Sequence, residues 1–280
     1  TVSVHSKSKG HYEESYDALI LSPGAKPIKP PIPGIDSNKI FTLRNIPDTD
    51  RIKAQVDRTD VQHAVVIGGG YIGVEMAENL KERGIEVTLV EAAPHILAPF
   101  DSDMVSMLEK ELEENGVRLI LNDGVKSFHE KDTVLDVVLN SGTILTAELV
   151  ILAIGVAPDT GFVKESGIEL GTRGHILVND HMETSIADIY AVGDAIEVKD
   201  FVNGQNAAIP LAGPANKQGR IVADNIVGIP SIFKGTQGTS IIKVFSLTGA
   251  TTGNNERNLK RLDLPYQVVY VHPFSHATYY

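Results

Sequence analysis

The 280-residue chain contains no cysteine. That excludes a disulfide framework and a thiolate metal site within it. No apolar run approaches the roughly 20 residues of a membrane-spanning helix, and the opening TVSVHSKSKG does not resemble a signal peptide. No membrane partner is expected, and the cytoplasm is the default compartment. Positive charge is also scarce. The 25 Lys and Arg against 36 Asp and Glu leave a formal net charge of -11, which argues against nucleic acid or an anionic membrane as the partner. The nine histidines are scattered. His272 and His276 fall four apart, but Pro273 between them disfavours a helical pair, so no metal is expected.

Glycine and proline, 25 and 14 residues, are spread along a chain that is 42% hydrophobic. This suits a globular α/β protein with many turns, long enough for about two domains. Two stretches end alike. ALILSPGAKP at 18–27 and LVILAIGVAP at 149–158 each run from an apolar segment through a small-residue turn with Gly (Gly24, Gly155) to Pro (Pro27, Pro158). They read as the exit strands of two similar units.

From Val61 to Pro94 the sequence VQHAVVIGGGYIGVEMAENLKERGIEVTLVEAAP reads as strand, glycine-rich turn, helix and strand. Val65, Val66 and Ile67 make the first strand. Gly68, Gly70 and Gly73 fit G-x-G-x-x-G. The first makes the tight turn, the second admits the backbone to a pyrophosphate, and the third lets helix and sheet pack closely. A helix is expected from Tyr71 to about Arg83, with Val74, Ala77 and Leu80 on one face and Gly84 near its C-cap. Free N–H groups at its start would hold the pyrophosphate. Val87 to Val90 is the next strand. Glu91 ends it at about the 20-residue spacing at which an acid binds ribose hydroxyls. A carboxylate there repels a 2′-phosphate, and Ala92, Ala93, Pro94 and His95 offer no Arg or Lys. NADH is therefore favoured over NADPH.

The rest of this unit follows in order. An amphipathic helix from Asp103 to Asn115 puts Met104, Met107, Leu108 and Leu112 on one face. A strand from Val117 to Leu121 comes next, then an antiparallel meander over 125–146 that turns at Asn140-Ser141-Gly142. The exit strand runs from Leu149 to Ala153. After Pro158, Ile189, Ala191 and Val192 form a short strand that Gly193-Asp194 ends. A helix begins near Pro214 and ends near Gly228.

The stretches YDALILSPGAKP, VVIGGGYIGVE, TSIADIYAVGDA, IPLAGPANKQGRIVADNI and GTSIIKVFSLTGATTGNNE, in this order, resemble the FAD-dependent pyridine nucleotide-disulfide oxidoreductases across nearly the whole chain. The resemblance is closest to the branch of CoA-disulfide reductase, NADH oxidase and NADH peroxidase. It implies two nested Rossmann-like three-layer nucleotide-binding domains of the α/β class, the FAD domain incomplete, followed by the start of an α+β dimerisation domain. The implied boundaries are 1–45 for the end of the first FAD segment, 46–158 for the NAD(P)H domain, 159–232 for the second FAD segment and 233–280 for the interface domain.

The resemblance also implies roles by position. Asp194 accepts a hydrogen bond from the FAD ribitol. The backbone at Leu211-Ala212 faces the flavin pyrimidine edge, where the following helix presents its positive end. Tyr71 covers the flavin face and moves aside for nicotinamide, and Glu75 lies near the nicotinamide amide. Asn216 matches a CoA-contacting position. PFSHATYY resembles a stretch whose paired tyrosines approach the partner subunit's active site. The candidate NAD residues are thus Gly68, Gly69, Gly70, Tyr71, Ile72, Gly73, Glu75, Glu91 and Gly155. The candidate FAD residues are Ser22, Pro23, Gly24, Ala25, Gly193, Asp194, Pro210, Leu211 and Ala212. Asn216 and Tyr279 are candidates for substrate contact.

Family members open the FAD domain with a further glycine loop, followed by the redox cysteine. Neither occurs in this chain, so it is expected to be a segment of a longer homodimeric enzyme, inactive in thiol chemistry and weak in FAD binding by itself. The parent is expected to pass hydride from NADH to FAD and electrons to a cysteine-based acceptor site. The acceptor is a small-molecule disulfide such as CoA disulfide, a persulfide or polysulfide, or oxygen or peroxide. Two other readings stay open: a flavoprotein of the ferredoxin or rubredoxin reductase type that needs no cysteine, and a non-catalytic NAD-binding fragment.

Overall fold

The computed structural model describes residues 1–274 and Tyr279. An antiparallel hairpin, β1 (Val2–Ser6) and β2 (Gly10–Glu14), opens the chain. The first exit motif becomes β3 (Leu19–Leu21) and β4 (Ala25–Pro27), and β5 (Ile40–Phe41) follows. Helix α1 (Ile46–Val56) starts with a capping box. The Asn45 carboxamide oxygen accepts from the Asp48 N–H at 3.0 Å, and the Asp48 carboxylate accepts from the Asn45 N–H at 3.2 Å.

The central unit is then built from β6 (His63–Ile67), α2 (Tyr71–Glu82), β7 (Glu86–Val90), α3 (Ser102–Glu114) and β8 (Arg118–Ile120). A meander of β9 (Val125–Glu130), β10 (Leu135–Leu139) and β11 (Ile144–Ala147) precedes the exit strand β12 (Leu149–Leu152). Five strands form one parallel sheet in the order β5-β12-β6-β7-β8. Side chains alternate across it, and both faces are covered. Val66, Val87, Leu89, Leu149 and Ile151 pack on the three helices. Val65, Ile67, Val90, Val150 and Leu152 pack on Phe128, Leu135, Val137 and Leu145 of the meander. That is why β6 and β12 carry continuous buried apolar runs rather than an alternation.

The periodicity of α3 needs one correction. Its buried stripe is Val105, Leu108 and Leu112, whereas Met104 and Met107 are about half exposed. Each helical residue turns by about 100°, so 104 and 107 sit one step to the side of the stripe and face solvent.

The second exit motif ends in β13 (Val156–Pro158), and here the two motifs meet. β13 pairs antiparallel with β4: Val156 opposes Pro27, Ala157 opposes Lys26 and Pro158 opposes Ala25. The flanking bonds are equivalent. The Ile28 N–H donates to the Gly155 carbonyl, and the Asp159 N–H donates to the Gly24 carbonyl, both at 3.0 Å. The repeat thus folds about a local two-fold relation.

Beyond it lie β14 (Ile176–Leu177), β15 (Ile189–Ala191), β16 (Ile196–Lys199), β17 (Asn206–Ala207) and α4 (Ala212–Ile226). β15 pairs parallel with β3, and Leu21, Ile176, Met182, Ile189, Ile196 and Val222 form this unit's core. A final hairpin, β18 (Ser240–Val244) and β19 (Leu247–Thr251), and α5 (Glu256–Arg261) complete the described elements. Ile242 and Val244 bury themselves in the helix side of the central unit. Among the described residues no helix is long and apolar enough to cross a membrane.

The assignment of the α3 face is testable by urea unfolding. Leu112→Ala is expected to destabilise the protein by about 2–5 kcal/mol, because the side chain is fully buried. Met107→Ala, at a half-exposed site, is expected to change stability by less than about 0.5 kcal/mol.

Candidate nucleotide-binding clefts

The turn between β6 and α2 is held tightly. The Gly68 N–H donates to the Val90 carbonyl at 2.8 Å, and the Leu97 N–H donates to the Gly69 carbonyl at 2.7 Å. A Cβ on Gly73 would lie 1.8 Å from the Gly68 carbonyl oxygen, so no side chain fits where the helix crosses the loop. A Cβ on Gly70, by contrast, would meet nothing within 4 Å, which leaves the loop open on the side a ligand would approach. Glu91 is bound to this loop. Its carboxylate accepts from the Gly69 N–H at 2.6 Å and from the Ala93 N–H at 2.7 Å.

Helix α2 begins at Gly70 with no side-chain cap and no acid in its first turn. Its leading N–H groups are therefore free of intrahelical acceptors and of capping side chains, at the positive end of the helix dipole. Helix α4 begins at Leu211 in the same way. α1 and α5 differ: each is capped by an asparagine and carries an acid in its first turn. Helix α3 also lacks a side-chain cap but carries Asp103 in its first turn. Among the described α-helices, α2 and α4 alone have neither cap nor acid, both border cavities, and an anionic dinucleotide fits both starts.

The first cavity has a volume of about 620 Å³. The glycine loop, Tyr71, Ile72, Glu91, His95 and Gly155 line it, and Asp194 and Pro210 also contribute to its wall. Glu75 is placed elsewhere. It is exposed and lines a separate groove between α1 and α2, which Ile72 shares.

The second cavity, also about 620 Å³, brings together Ser22, Gly24, Gly193, Asp194 and Asn216. Helix α4 lines it with the small residues Ala215, Gly219 and Ala223 and with the longer Asn216 and Arg220. Burial pushes the Asp194 carboxyl above its usual range. None of the described residues donates a hydrogen bond to this carboxylate, so it is suited to a ligand that brings hydroxyl donors. The remaining expected FAD residues surround these features. Pro23 gives its carbonyl to the Arg44 guanidinium at 2.8 Å. Ala25 lies in the β4–β13 pairing. Leu211 and Ala212 form the start of α4. Asn216 donates its side-chain amide to the Ala212 carbonyl at 2.8 Å while lining the cavity. Tyr279 is exposed; Tyr280 and His276 lie outside the described residues.

Three participants were not legible in the motifs. Gln218 is almost fully buried, and its side-chain oxygen accepts from the Gly193 N–H at 2.8 Å, fixing the turn that presents Asp194. Its spacing four residues before the buried Val222 was the available signal. His95, on the wall of the first cavity, is oriented by the Glu109 carboxylate 3.2 Å from Nδ1. Ser240 pairs with Tyr71 across a long sequence separation that no local pattern reveals.

The family model of the pyridine nucleotide-disulphide oxidoreductases matches residues 1–219. A coenzyme A disulfide reductase from Staphylococcus aureus is 36% identical over the whole chain, which spans 62% of that relative's length. An NADH oxidase from Methanocaldococcus jannaschii is 35% identical, with 98% of this chain and 61% of the relative covered. The crystal structure of reduced Bacillus anthracis CoADR-RHD is similar with a TM-score of 0.93 and 55% identity, covering 98% of this chain and 49% of that one. With the motifs, the fold and these likenesses in agreement, the chain belongs to the pyridine nucleotide-disulphide oxidoreductase family.

Proposed function

We propose that the complete protein is an NADH-dependent flavoprotein reductase. One observation supports this reading above the others: Asp194 lines both cavities, so the glycine-loop cleft opens toward the site expected to hold flavin. With both cofactors held there, the chemistry supplied would be hydride transfer from NADH to FAD. The chain's own residues bind and orient. The α2 start and Gly68–Gly73 would take the dinucleotide pyrophosphate, and Glu91 would meet the adenosine ribose. Tyr71 stands on the cleft wall as a ring that gives way to nicotinamide. Asp194, presented by the Gly193 turn and Gln218, would hold the flavin ribityl chain, and the α4 start would favour negative charge on the reduced ring.

The acceptor follows by likeness. Relatives are named for coenzyme A disulfide reduction and NADH oxidation. The finer reading is a CoA disulfide, a persulfide or polysulfide, or oxygen or peroxide, served through a cysteine outside residues 1–280. We read residues 46–158 as the NAD(P)H domain, with β5 joining its sheet, 1–45 and 159–232 as parts of the FAD domain, and 233–280 as the opening of a dimer-forming domain. The complete protein, supplied with NADH against CoA disulfide, polysulfide, oxygen and peroxide in turn, is expected to bleach its flavin absorbance and turn over at least one of these. A protein whose flavin NADH does not reduce refutes the proposal.

Two substitutions test the residue roles. Glu91→Gln removes the charge that repels a 2′-phosphate, and the preference for NADH over NADPH in kcat/KM is expected to fall about tenfold or more. An unchanged ratio removes Glu91 from cofactor selection. Asp194→Asn replaces a carboxylate acceptor, and FAD affinity, measured by flavin release on dilution, is expected to weaken about tenfold or more. Wild-type retention would exclude the ribityl contact.

A further inference from the structure

Strand β18 reaches the nucleotide cleft through one side-chain bond. The Tyr71 and Ser240 hydroxyls are 2.5 Å apart. Tyr71 is the first residue of α2 and lines the glycine-loop cavity; Ser240 is the first residue of β18. The tyrosine ring is partly buried against the core of the central unit, and its hydroxyl adds a hydrogen bond that fixes the tip.

The strand that supplies the fixed point is itself firmly held. Lys243 donates to the buried Glu78 carboxylate at 3.0 Å, two turns along α2 from Tyr71. Ile242 and Val244 are in the core with α2 and α3. The Ser246 N–H donates to the Glu111 carboxylate at 2.9 Å. None of these contacts passes through the tyrosine. Ser240 therefore stays in place whether or not the ring is bound to it.

We propose that Ser240 is a positioning residue for Tyr71, the catch that holds the ring on the cleft wall until nicotinamide displaces it. This rests on the cofactor reading above and adds to it a named residue outside the nucleotide-binding unit. A hydroxyl pair of this kind shifts an equilibrium by roughly threefold to tenfold. That holds the ring in place most of the time, yet a dinucleotide can open it. Binding of the dinucleotide is weakened by the fraction of molecules in which the catch is closed. Removing either hydroxyl is then expected to tighten binding, which a purely structural bond would not do.

The test uses the complete oxidised flavoprotein and tetrahydro-NADH, a dinucleotide that cannot give up its hydride, with binding followed by the flavin spectrum. Tyr71→Phe and Ser240→Ala are each expected to lower Kd by about threefold to tenfold. The double variant is expected to bind no more tightly than either single one, because both remove the same bond. Ser240→Thr, which keeps the hydroxyl, is expected to restore the wild-type Kd. Lys243→Met cuts the other tie between α2 and β18 and is expected to lower the thermal midpoint while leaving Kd unchanged. Additive effects of the two single substitutions, or weaker binding in Ser240→Ala, would overturn the catch. A wild-type protein that does not bind tetrahydro-NADH would instead overturn the cofactor reading on which the catch depends.

Discussion

The pairing of β4 with β13 sets where everything else can be. In open α/β sheets, ligands bind outside the carboxyl ends of the strands. Each exit strand here leaves a glycine turn at that end, Gly24 after β3 and Gly155 after β12. Because the segments beyond those turns pair with each other, the carboxyl ends of two separate sheets are brought to one place. Gly155 then lines one cavity and Gly24 the other, and Asp194 borders both. Arg44 reinforces the joint by reaching both motifs: its guanidinium donates to the Pro23 carbonyl at 2.8 Å and pairs with Asp159 at 3.1 Å. Arg44, with Lys26, holds the Asp159 carboxyl below its usual range.

Charge is distributed around these cavities with more discrimination than the net value of -11 suggests. Acids occupy the first turns of α1, α3 and α5, where they offset the helix dipole. They are missing from α2 and α4, whose starts remain available to an anion. The acid that does enter the first cleft, Glu91, is turned onto backbone amides of the loop. It thereby ties the end of β7 to the loop, one residue before the Gly70 cap of α2. Asp194 is handled differently. It is desolvated with no donor to it among the described residues, an arrangement that a hydroxyl-bearing ligand relieves.

Much of this was legible in the sequence because it is local. G-x-G-x-x-G, the buried run Val65–Ile67 and the Gly142 turn each state a backbone requirement within a few residues, and the structure meets them. The face of α3 was read with the wrong edge because methionine is apolar enough to blur a stripe when it falls one position away. The pairing of the two exit motifs was out of reach for another reason. Similar sequences announce similar units, but nothing in either motif says that they meet antiparallel. Gln218 and Ser240 were missed because each acts on a residue distant in sequence, through a single hydrogen bond that leaves no periodic trace.

The same long-range contacts decide which parts can move together. Glu78 is buried, and a buried carboxylate that loses its cation is strongly destabilising. β18 therefore cannot leave α2 without leaving that charge unpaired, and the same contact pushes the Lys243 ammonium above its usual range. Asn255 ties the following segment to the central unit as well, donating to the Ala98 carbonyl at 3.1 Å. The hairpin and the nucleotide helix thus form one mechanical body. The joint at β4 and β13 is a two-stranded ribbon of three residues a side, closed by exposed ion pairs that are individually weak.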